Sequence, residues 1–268
     1  MKRLIVLGDL HSGHRSGLTP PLYETDMDKS SDAPGYLQKQ SRIRKGLWKF
    51  YTETLADIGP VDYAIIMGDC IEGKSKRTEG AELLTNDLEE QAHIAALALK
   101  EIKAKEIYMV RGTPYHVGAS EEWENQVALE LGAAKIENEG HYEILGMNIS
   151  ARHYIGNSSS PVSAVTPLKS AQIKQMLWAQ RKQQPTTDLM LRAHVHRCDY
   201  IGTPAIGFQG WTCPCLKGLG DRFAIRQMDG LPIDIGMLEV YVKSKTDWGV
   251  VAHIAGLKTQ AASVIKLK

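Results

Sequence analysis

Acidic and histidine residues follow short apolar segments at several places in this chain. The run 4–7 is continuously apolar, and Asp9 and His11 come just after it and Gly8. Such a run predicts a buried strand of an α/β sheet, and ligands of these sheets bind beyond the carboxyl ends of the strands. Because residues two apart on an extended backbone point to the same side, we expect Asp9 and His11 to face one point. An isolated Asp-x-His also occurs in ordinary turns. Whether these two residues form a ligand site or a turn therefore depends on the residues at the other strand ends.

The same arrangement recurs along the chain. Polar residues also occur at the ends of the further predicted strands at 61–67, 106–110, 141–153 and 188–192. Together the strand ends offer these candidate site residues: Asp9, His11, Asp69, Glu72, Thr113, His116, His153, His194 and His196. Carboxylates and imidazoles are ligands of Mn, Fe and Zn. Two such ions beside a shared acid can bind a phosphoryl group, generate hydroxide at neutral pH and stabilise an in-line displacement. The sequence therefore predicts two divalent metal ions, Mn, Fe or Zn, at one edge of the sheet.

The intervening segments indicate elements that would bring these strand ends together. Apolar residues at helical spacing predict helices at 38–58, 81–103, 121–131 and 167–183. Their alternation with strands is typical of a doubly wound parallel sheet. Residues 141–153 predict two strands turning at 145–147, and antiparallel strands are expected at 200–207, 235–242 and 249–254.

Composition indicates an ordinary globular protein. The 43% of hydrophobic and 24% of charged residues are typical of a soluble globular protein. A length of 268 residues suits one large α/β domain or two small ones, and without a convincing boundary we expect a single domain spanning 1–268. The net charge of +1 excludes a global basic field for nonspecific nucleic-acid binding. No apolar run is long enough to cross a membrane, the amino terminus does not resemble a signal peptide, and Cys213 and Cys215 are too close for a comfortable disulfide. We therefore expect a cytoplasmic protein without a membrane partner, and the oligomeric state is open.

The motif order resembles that of the calcineurin-like metallophosphoesterases. The likeness covers about residues 4–197 and rests on five successive motifs: Asp9-x-His11, Gly68-Asp69-x-x-Glu72, the Arg111-Gly112 turn with His116, His153, and Ala193-His194-x-His196. The resemblance implies a four-layered α/β/β/α sandwich with mixed sheets and a dinuclear metal site. It also implies an enzyme in which metal-bound hydroxide hydrolyses a phosphate ester.

Roles for individual residues follow only from this resemblance. It implies that Asp9, His11 and His196 bind the first metal ion, that Asp69 bridges, and that His153 and His194 bind the second. His116 matches the histidine that contacts the substrate phosphate and protonates the leaving oxygen. Glu72 matches an acid that orients a ligand more often than it binds metal.

Two departures from the family pattern concern the second metal and the acid. The family has Gly-Asn-His, whereas Thr113 replaces Asn here and Pro114-Tyr115 precede His116. Thr113 could ligate through its hydroxyl or carbonyl, or His116 could become a ligand and leave its acid role to another group. This variant resembles one in some phage-encoded members. Ala193 stands where the family has Gly, a small change.

Loop residues are expected to set the substrate, which is a phosphate ester. Four loops would surround the metal edge: 12–36, 73–80, 156–166 and 210–222. Lys74 and Arg77 could bind a further phosphate or a nucleic-acid backbone, and Trp211 could stack on a base, so a phosphodiester or nucleic acid is the favoured substrate. Loop charges are usually only solvated, however, and most tryptophans are buried apolar area.

Two non-enzymatic alternatives stay open. Because Thr113 replaces the usual Asn, the chain could be a catalytically degenerate metallophosphoesterase fold that binds nucleic acid or protein. A purely structural protein with the same fold would tolerate replacement of Asp9, Asp69 and His194. Within the enzymes, the absence of a Gly-Asp-x-x-Asp-Arg-Gly continuation argues against the protein serine/threonine phosphatases.

Overall fold

The computed structural model consists of two β-sheets packed face to face with helices outside them. It describes residues 1–74, 79–117, 122–203, 205, 207–219 and 232–256. The strands are β1 Lys2–Leu7, β2 Val61–Ile66, β3 Ala104–Val110, β4 Lys135–Glu137, β5 Gly140–Ile144, β6 Met147–Ala151, β7 Leu189–Arg192, β8 Tyr200–Thr203, β9 Phe208–Thr212, β10 Gly236–Val242 and β11 Trp248–Ile254. The α-helices are α1 Asp26–Lys29, α2 Gly35–Ile58, α3 Leu88–Leu99, α4 Pro114–Val117, α5 Trp123–Leu131 and α6 Thr166–Gln180.

The first sheet has the strand order β11-β10-β1-β2-β3-β4. Strands β1 to β4 are mutually parallel, while β10 and β11 are antiparallel additions beside β1. The expectation of a parallel sheet is therefore confirmed for β1 to β4, but the doubly wound pattern was wrong. These strands advance in one direction across the sheet, and crossovers of one hand then place their helices on one face.

Alternate side chains of β1 show how the layers are held together. Ile5 and Leu7 belong to the core beneath α2 and α3, together with Leu47 of α2. Leu4 and Val6 point the other way and belong to a core shared with the second sheet. Because both faces are covered, the strand is apolar throughout and not alternating.

The second sheet has the order β5-β6-β7-β9-β8 and is also mixed. As expected, β5 and β6 form a hairpin that turns at Leu145-Gly146. On its outer face, Met190 of β7 packs with Leu168 of α6 and Phe208 of β9. The order of layers is thus helices, sheet, sheet, helix, and the predicted α/β/β/α fold with mixed sheets is confirmed.

Several element boundaries differ from the expectations. Helix α3 begins at Leu88 and not near 81, because the Asp87 side chain caps it by accepting hydrogen bonds from the backbone N–H groups of Glu89 and Glu90. Strand β9 was predicted in part as loop, because Gly207 and Gly210 interrupt its pattern; its place between β7 and β8 supplies hydrogen-bonding neighbours on both sides. Within the described part of the chain, no helix is long and apolar enough to cross a bilayer.

Candidate metal centre

Sharp turns with unusual backbone conformations place the candidate ligands. Among the described residues, eight non-glycine residues have positive φ, and five of them carry candidate ligands: Asp9 (49°), His11 (48°), Asp69 (48°), His194 (74°) and His196 (55°). Non-glycine residues rarely adopt this left-handed region. The expectation that Asp9 and His11 share a side through extended backbone was therefore wrong, although the turns bring their side chains together by another route.

The first group of potential ligands consists of Asp9, His11 and His196. Asp9 Oδ1 lies 3.3 Å from His196 Nε2 and 3.9 Å from His11 Nε2. The two Nε2 atoms are 3.1 Å apart. These three side chains, which the sequence separates by up to 187 positions, converge because β1 and β7 end at the same edge of the molecule.

The second group consists of Asp69, His153 and His194. His153 Nε2 lies 3.0 Å from Asp69 Oδ2 and 4.0 Å from Asp9 Oδ1. Asp9 Oδ2 also accepts a hydrogen bond of 3.1 Å from the backbone N–H of His194. Asp9 therefore contacts residues of both groups, and the two groups are adjacent.

A third grouping joins His11, Asp69 and His116. In each of the three groups the potential ligand atoms lie within 4.8 Å of one another. Asp69 occurs in two of the groups, and the rings of His11 and His116 contact edge to face with centroids 4.6 Å apart. His116 therefore lies close enough for either of the roles that the sequence left open.

Hydrogen bonds at Nδ1 orient these imidazoles toward the centre. His11 Nδ1 is 2.8 Å from Glu72 Oε2, and His153 Nδ1 is 2.6 Å from the carbonyl oxygen of Met67. Since both partners are acceptors, each Nδ1 carries the proton and donates it. Once it has lost its proton, each Nε2 atom then offers a free electron pair, an arrangement that is usual for metal-binding histidines.

Two buried atoms at the centre lack a hydrogen-bond partner. Asp9 Oδ1 and His153 Nε2 are both inaccessible to solvent and lack a hydrogen bond of good geometry among the described residues, although His196 Nε2 lies 3.3 Å from the first and Asp69 Oδ2 lies 3.0 Å from the second. Leaving such an atom unsatisfied costs about 1–3 kcal/mol. A cation between the carboxylates and the Nε2 atoms would satisfy both, so the residues present fit divalent metal ions.

Without metal, protons on two of the imidazoles balance the charge of the carboxylates, while His11 stays neutral. Burial, with further contributions from Lys217 and His116, lowers the pKa of His11 to about 3, so this imidazole is neutral at pH 7. Burial alone would raise the pKa of the Asp69 carboxyl, but His153 outweighs it and holds the pKa below its usual value. Asp69 and Asp9 overcome the effect of burial at His153 and raise its pKa to about 9, so a metal ion would have to displace the proton on its Nε2 atom.

Thr113 holds the Asp69 carboxylate in place. The backbone N–H of Thr113 donates to Asp69 Oδ1 at 2.6 Å, and its hydroxyl lies 3.1 and 3.2 Å from the two carboxylate oxygens. The preceding Gly112 is required here because a β-carbon at this position would collide with that carboxylate. The turn after β3 is therefore shaped around Asp69.

Glu72 makes contacts that fit an orienting role. Besides His11 Nδ1, its Oε2 atom contacts Lys217 Nζ at 2.9 Å, and its backbone carbonyl accepts from His116 Nδ1 at 2.8 Å. Lys217 was not identified from the sequence. It reaches the centre because the segment after β9 runs beside the end of β1, where Leu216 N–H donates to the Asp9 carbonyl.

Glu124 is a second residue that the sequence did not identify. This buried carboxyl on α5 accepts hydrogen bonds from the backbone N–H groups of Cys70 at 3.0 Å and Gly112 at 2.7 Å. Burial and the neighbouring Asp69 raise its pKa to about 7. Glu124 thus ties together the turns after β2 and β3, and nothing in its helical spacing distinguishes it from a surface glutamate.

The predicted substrate-binding residues are less closely connected to the centre. Lys74 is exposed in the turn after Glu72, and Arg77 lies outside the described residues. Trp211 was expected in a loop, but it lies in β9, where it packs against Tyr200 with ring centroids 4.7 Å apart and borders the core between the sheets. The strand pairing of β9 explains the difference, and a contact of Trp211 with substrate stays a prediction.

The cysteines behave as expected. Cys213 and Cys215 are buried, and all four cysteines of the chain are free thiols. Cys215 lies against His196, where it and Asp9 favour the charged imidazole. Cys215 therefore helps to form the wall of the centre, whereas Cys213 belongs to the core between the two sheets.

No family model matches the sequence, and no curated protein matches it. Solved structures with a similar chain course include Vps29 of Entamoeba histolytica complexed with Zn²⁺, at 11% identity and a TM-score of 0.43, covering 94% of this chain and 98% of that one. An archaeal phosphodiesterase has 11% identity and a TM-score of 0.43, covering 94% and 99% of the two chains. YfcE, a phosphoesterase from E. coli, has 13% identity and a TM-score of 0.42, covering 93% and 97%. Likeness at this level assigns neither activity nor metal to the present chain.

Proposed function

We propose that this protein is a metal-dependent phosphoesterase that hydrolyses a phosphodiester or nucleic acid with the help of two divalent metal ions. The supporting observation is the adjacency of two Asp/His groups around two buried, unsatisfied ligand atoms, Asp9 Oδ1 and His153 Nε2. An isolated turn or a structural ion pair would not need five residues in left-handed conformation at one edge of the sheets. It would also not need several imidazoles whose orientation is fixed there by hydrogen bonds at Nδ1.

The proposed ligand sets follow the observed groups, except that a shared Asp69 is what the resemblance implies, because the group of Asp9, His11 and His196 does not include it. Asp9, His11 and His196 would hold one ion, and His153 and His194 would hold the other, with Asp69 shared between them. When bound, a pair of divalent ions supplies a nucleophile at neutral pH and neutralises charge that develops on phosphorus. The protein contributes orientation: the hydrogen bonds to Glu72 and Met67 fix two of the Nε2 atoms, and Thr113 fixes the Asp69 carboxylate. Thr113 as a direct ligand stays a prediction.

His116 is proposed as the group that protonates the leaving oxygen. Its Nδ1–H donates to the Glu72 carbonyl, so its Nε2 atom is left to carry and transfer a proton. Its ring stands against His11 at the rim of the centre and is only partly buried. The same position would let it serve as a ligand instead, and the two roles differ in whether metal still binds after His116 is replaced.

Hydrolysis of bis-p-nitrophenyl phosphate tests the proposal directly. Protein freed of metal by chelation receives Mn, Fe or Zn in turn, and release of p-nitrophenol is followed. We expect turnover that depends on metal and is abolished by Asp69→Asn, while Asp57→Asn, the same change at an exposed position of α2, behaves as the unmodified protein. Turnover without metal, or equal turnover in Asp69→Asn, would refute the proposal.

Thr113 supports one alternative, a metal-binding fold without turnover. Its hydroxyl and amide are both engaged with Asp69, whereas the resemblance places an Asn ligand at this position. A protein that binds metal, binds nucleic acid or protein and hydrolyses no ester would fit this alternative. Manganese as the metal, a cytoplasmic location, a single domain over 1–268 and the likeness to phage-encoded members stay predictions.

A further inference from the structure

A groove leads away from the candidate metal centre along the second sheet. A cavity of about 410 Å³ begins at Thr113 and Pro114, beside the Asp69 carboxylate. A second cavity of about 280 Å³ ends at Lys174 and Trp178 of α6. Both are lined by Glu139, Arg152 and Tyr154, so they are neighbours along one face, and together they form the groove.

The segment after β6 connects this groove to the metal centre. His153 is buried and faces the centre, whereas its neighbours Arg152 and Tyr154 are exposed and line the groove. The ring of Tyr154 lies against that of His194 with centroids 5.0 Å apart. A ligand that contacts Arg152 and Tyr154 in the groove would therefore lie directly beside the centre, because these two residues flank His153.

The groove is cationic although the chain as a whole is nearly neutral. Its described lining contains four cationic side chains and one carboxylate, namely Arg111, Arg152, Lys174, Arg192 and Glu139. Arg111 is paired with Glu122, and the buried Arg192 lies 3.9 Å from Glu139, so Arg152 and Lys174 carry the free positive charge. The whole chain has a net charge of only +1. Arg152 and Lys174 are exposed and form no ion pair with any described residue, so both are available to phosphate groups.

Two exposed aromatic rings accompany these cations. Tyr154 is 56% exposed and Trp178 is 47% exposed, whereas large aromatic side chains usually bury most of their surface. Exposed rings interleaved with cations are the elements by which proteins hold single-stranded nucleic acid: bases stack on the rings and phosphates contact the cations. A duplex would keep its bases stacked on one another and could not use the rings in this way.

We propose that this groove binds a single-stranded polynucleotide, with phosphates at Arg152 and Lys174 and bases on Tyr154 and Trp178. The inference rests on the proposed phosphodiesterase function, because it names the substrate that the centre would cleave. A strand in the groove passes Tyr154 and reaches the edge formed by Thr113 and His194. The groove thus supplies a reason for a phosphodiester substrate that does not depend on Lys74, Arg77 or Trp211.

Fluorescence anisotropy with a labelled oligothymidylate of about ten nucleotides tests the groove. A phosphorothioate backbone prevents hydrolysis during the measurement, and the full-length protein is used with metal present. We expect Trp178→Ala to weaken binding at least about fivefold, the loss of one stacked base, and Trp178→Phe to restore most of it. Arg152→Ala should lower the slope of log affinity against log salt by about one, since one phosphate contact is lost. Lys49→Ala, an exposed position of α2 on the opposite outer layer, is the matched control.

The outcomes separate the groove from the proposed activity. The protein could hydrolyse bis-p-nitrophenyl phosphate while Trp178→Ala and Arg152→Ala leave oligonucleotide binding unchanged. This result would support the proposed activity and refute the groove as the binding site. Absence of hydrolysis together with binding that both changes weaken would overturn the activity and support the groove. Equal affinity for a duplex and a single strand would also contradict the inference, because stacking on the rings requires unpaired bases.

Discussion

Metal should stabilise this protein against heat, and the size of the effect can be worked from the centre. Asp9 Oδ1 and His153 Nε2 are buried and unsatisfied without metal, and each such atom costs about 1–3 kcal/mol. A cation that satisfies both removes at most about 2–6 kcal/mol, because the ion pairs of these two atoms with Asp69 and His196 already offset part of the cost. The metal-free protein should therefore unfold well below the melting temperature of the loaded form.

Mass action gives a second measure of the same effect. A ligand at a hundredfold excess over its Kd adds about 2.7 kcal/mol to the stability of the state that binds it. For a chain of roughly this length, 1 kcal/mol shifts the melting temperature by about 2–4 °C. We therefore expect chelated protein to gain about 5–10 °C when Mn or Zn is restored at saturating concentration.

Differential scanning calorimetry on chelated and metal-loaded protein measures this shift. Asp69→Asn should abolish most of it, because the carboxylate shared by two of the ligand groups is lost, while Asp57→Asn should retain it in full. A melting temperature that does not change with metal, or a rise of equal size in Asp69→Asn, would refute the assignment of these residues as ligands.

Three further predictions address the supporting residues. His116→Gln should reduce turnover by about 10²- to 10⁴-fold, the usual contribution of a general acid, and retain the metal-induced thermal shift; loss of that shift would make His116 a ligand. Glu124→Ala should lower the free energy of unfolding in urea by at least about 1–3 kcal/mol, because it leaves the buried N–H group of Cys70 and the partly buried N–H group of Gly112 unpaired. A loss no larger than that of the exposed Glu122→Ala would contradict this role. Without metal, the pKa of His153 is about 9 in the folded protein and 6.5 when unfolded. The charged imidazole therefore stabilises the fold fully below pH 6.5, and this stabilisation is lost as the pH rises through 9. Urea unfolding of chelated protein across this range should show the free energy of unfolding decline, and His153→Asn should make that decline smaller.

The sequence predicted which residues converge at one edge better than it predicted their backbone. Apolar runs followed by Asp or His marked the ends of β1, β2 and β7, since parallel strands deliver their carboxyl ends to one edge. The left-handed turns at Asp9 and His11 were not foreseen, because the types of these residues do not specify φ. Periodicity likewise failed at β9, where tertiary pairing with β7 and β8 overrides a glycine-interrupted pattern.

Glu124 and Lys217 illustrate what sequence patterns could not supply. Glu124 is an ordinary glutamate in an amphipathic helix until packing places it beneath the turns after β2 and β3. Lys217 lies far from Glu72 in sequence and approaches it only because the segment after β9 runs alongside β1. Both contacts depend on the relative position of distant elements, which local spacing does not encode.

Backbone strain bears on the choice between an active centre and a purely structural protein. Asp9, Asp69 and His194 are among the five candidate ligands held in left-handed conformation, and a non-glycine residue in this region costs of order 1–3 kcal/mol. Glycine would make the same turns without that cost, so a chain selected only for stability would be expected to have it there. The backbone strain and the two unsatisfied buried atoms both lower the stability of the fold. Binding of cations would offset this free-energy cost. The arrangement is thus more consistent with a site that binds metal than with a fold that merely retained these residues.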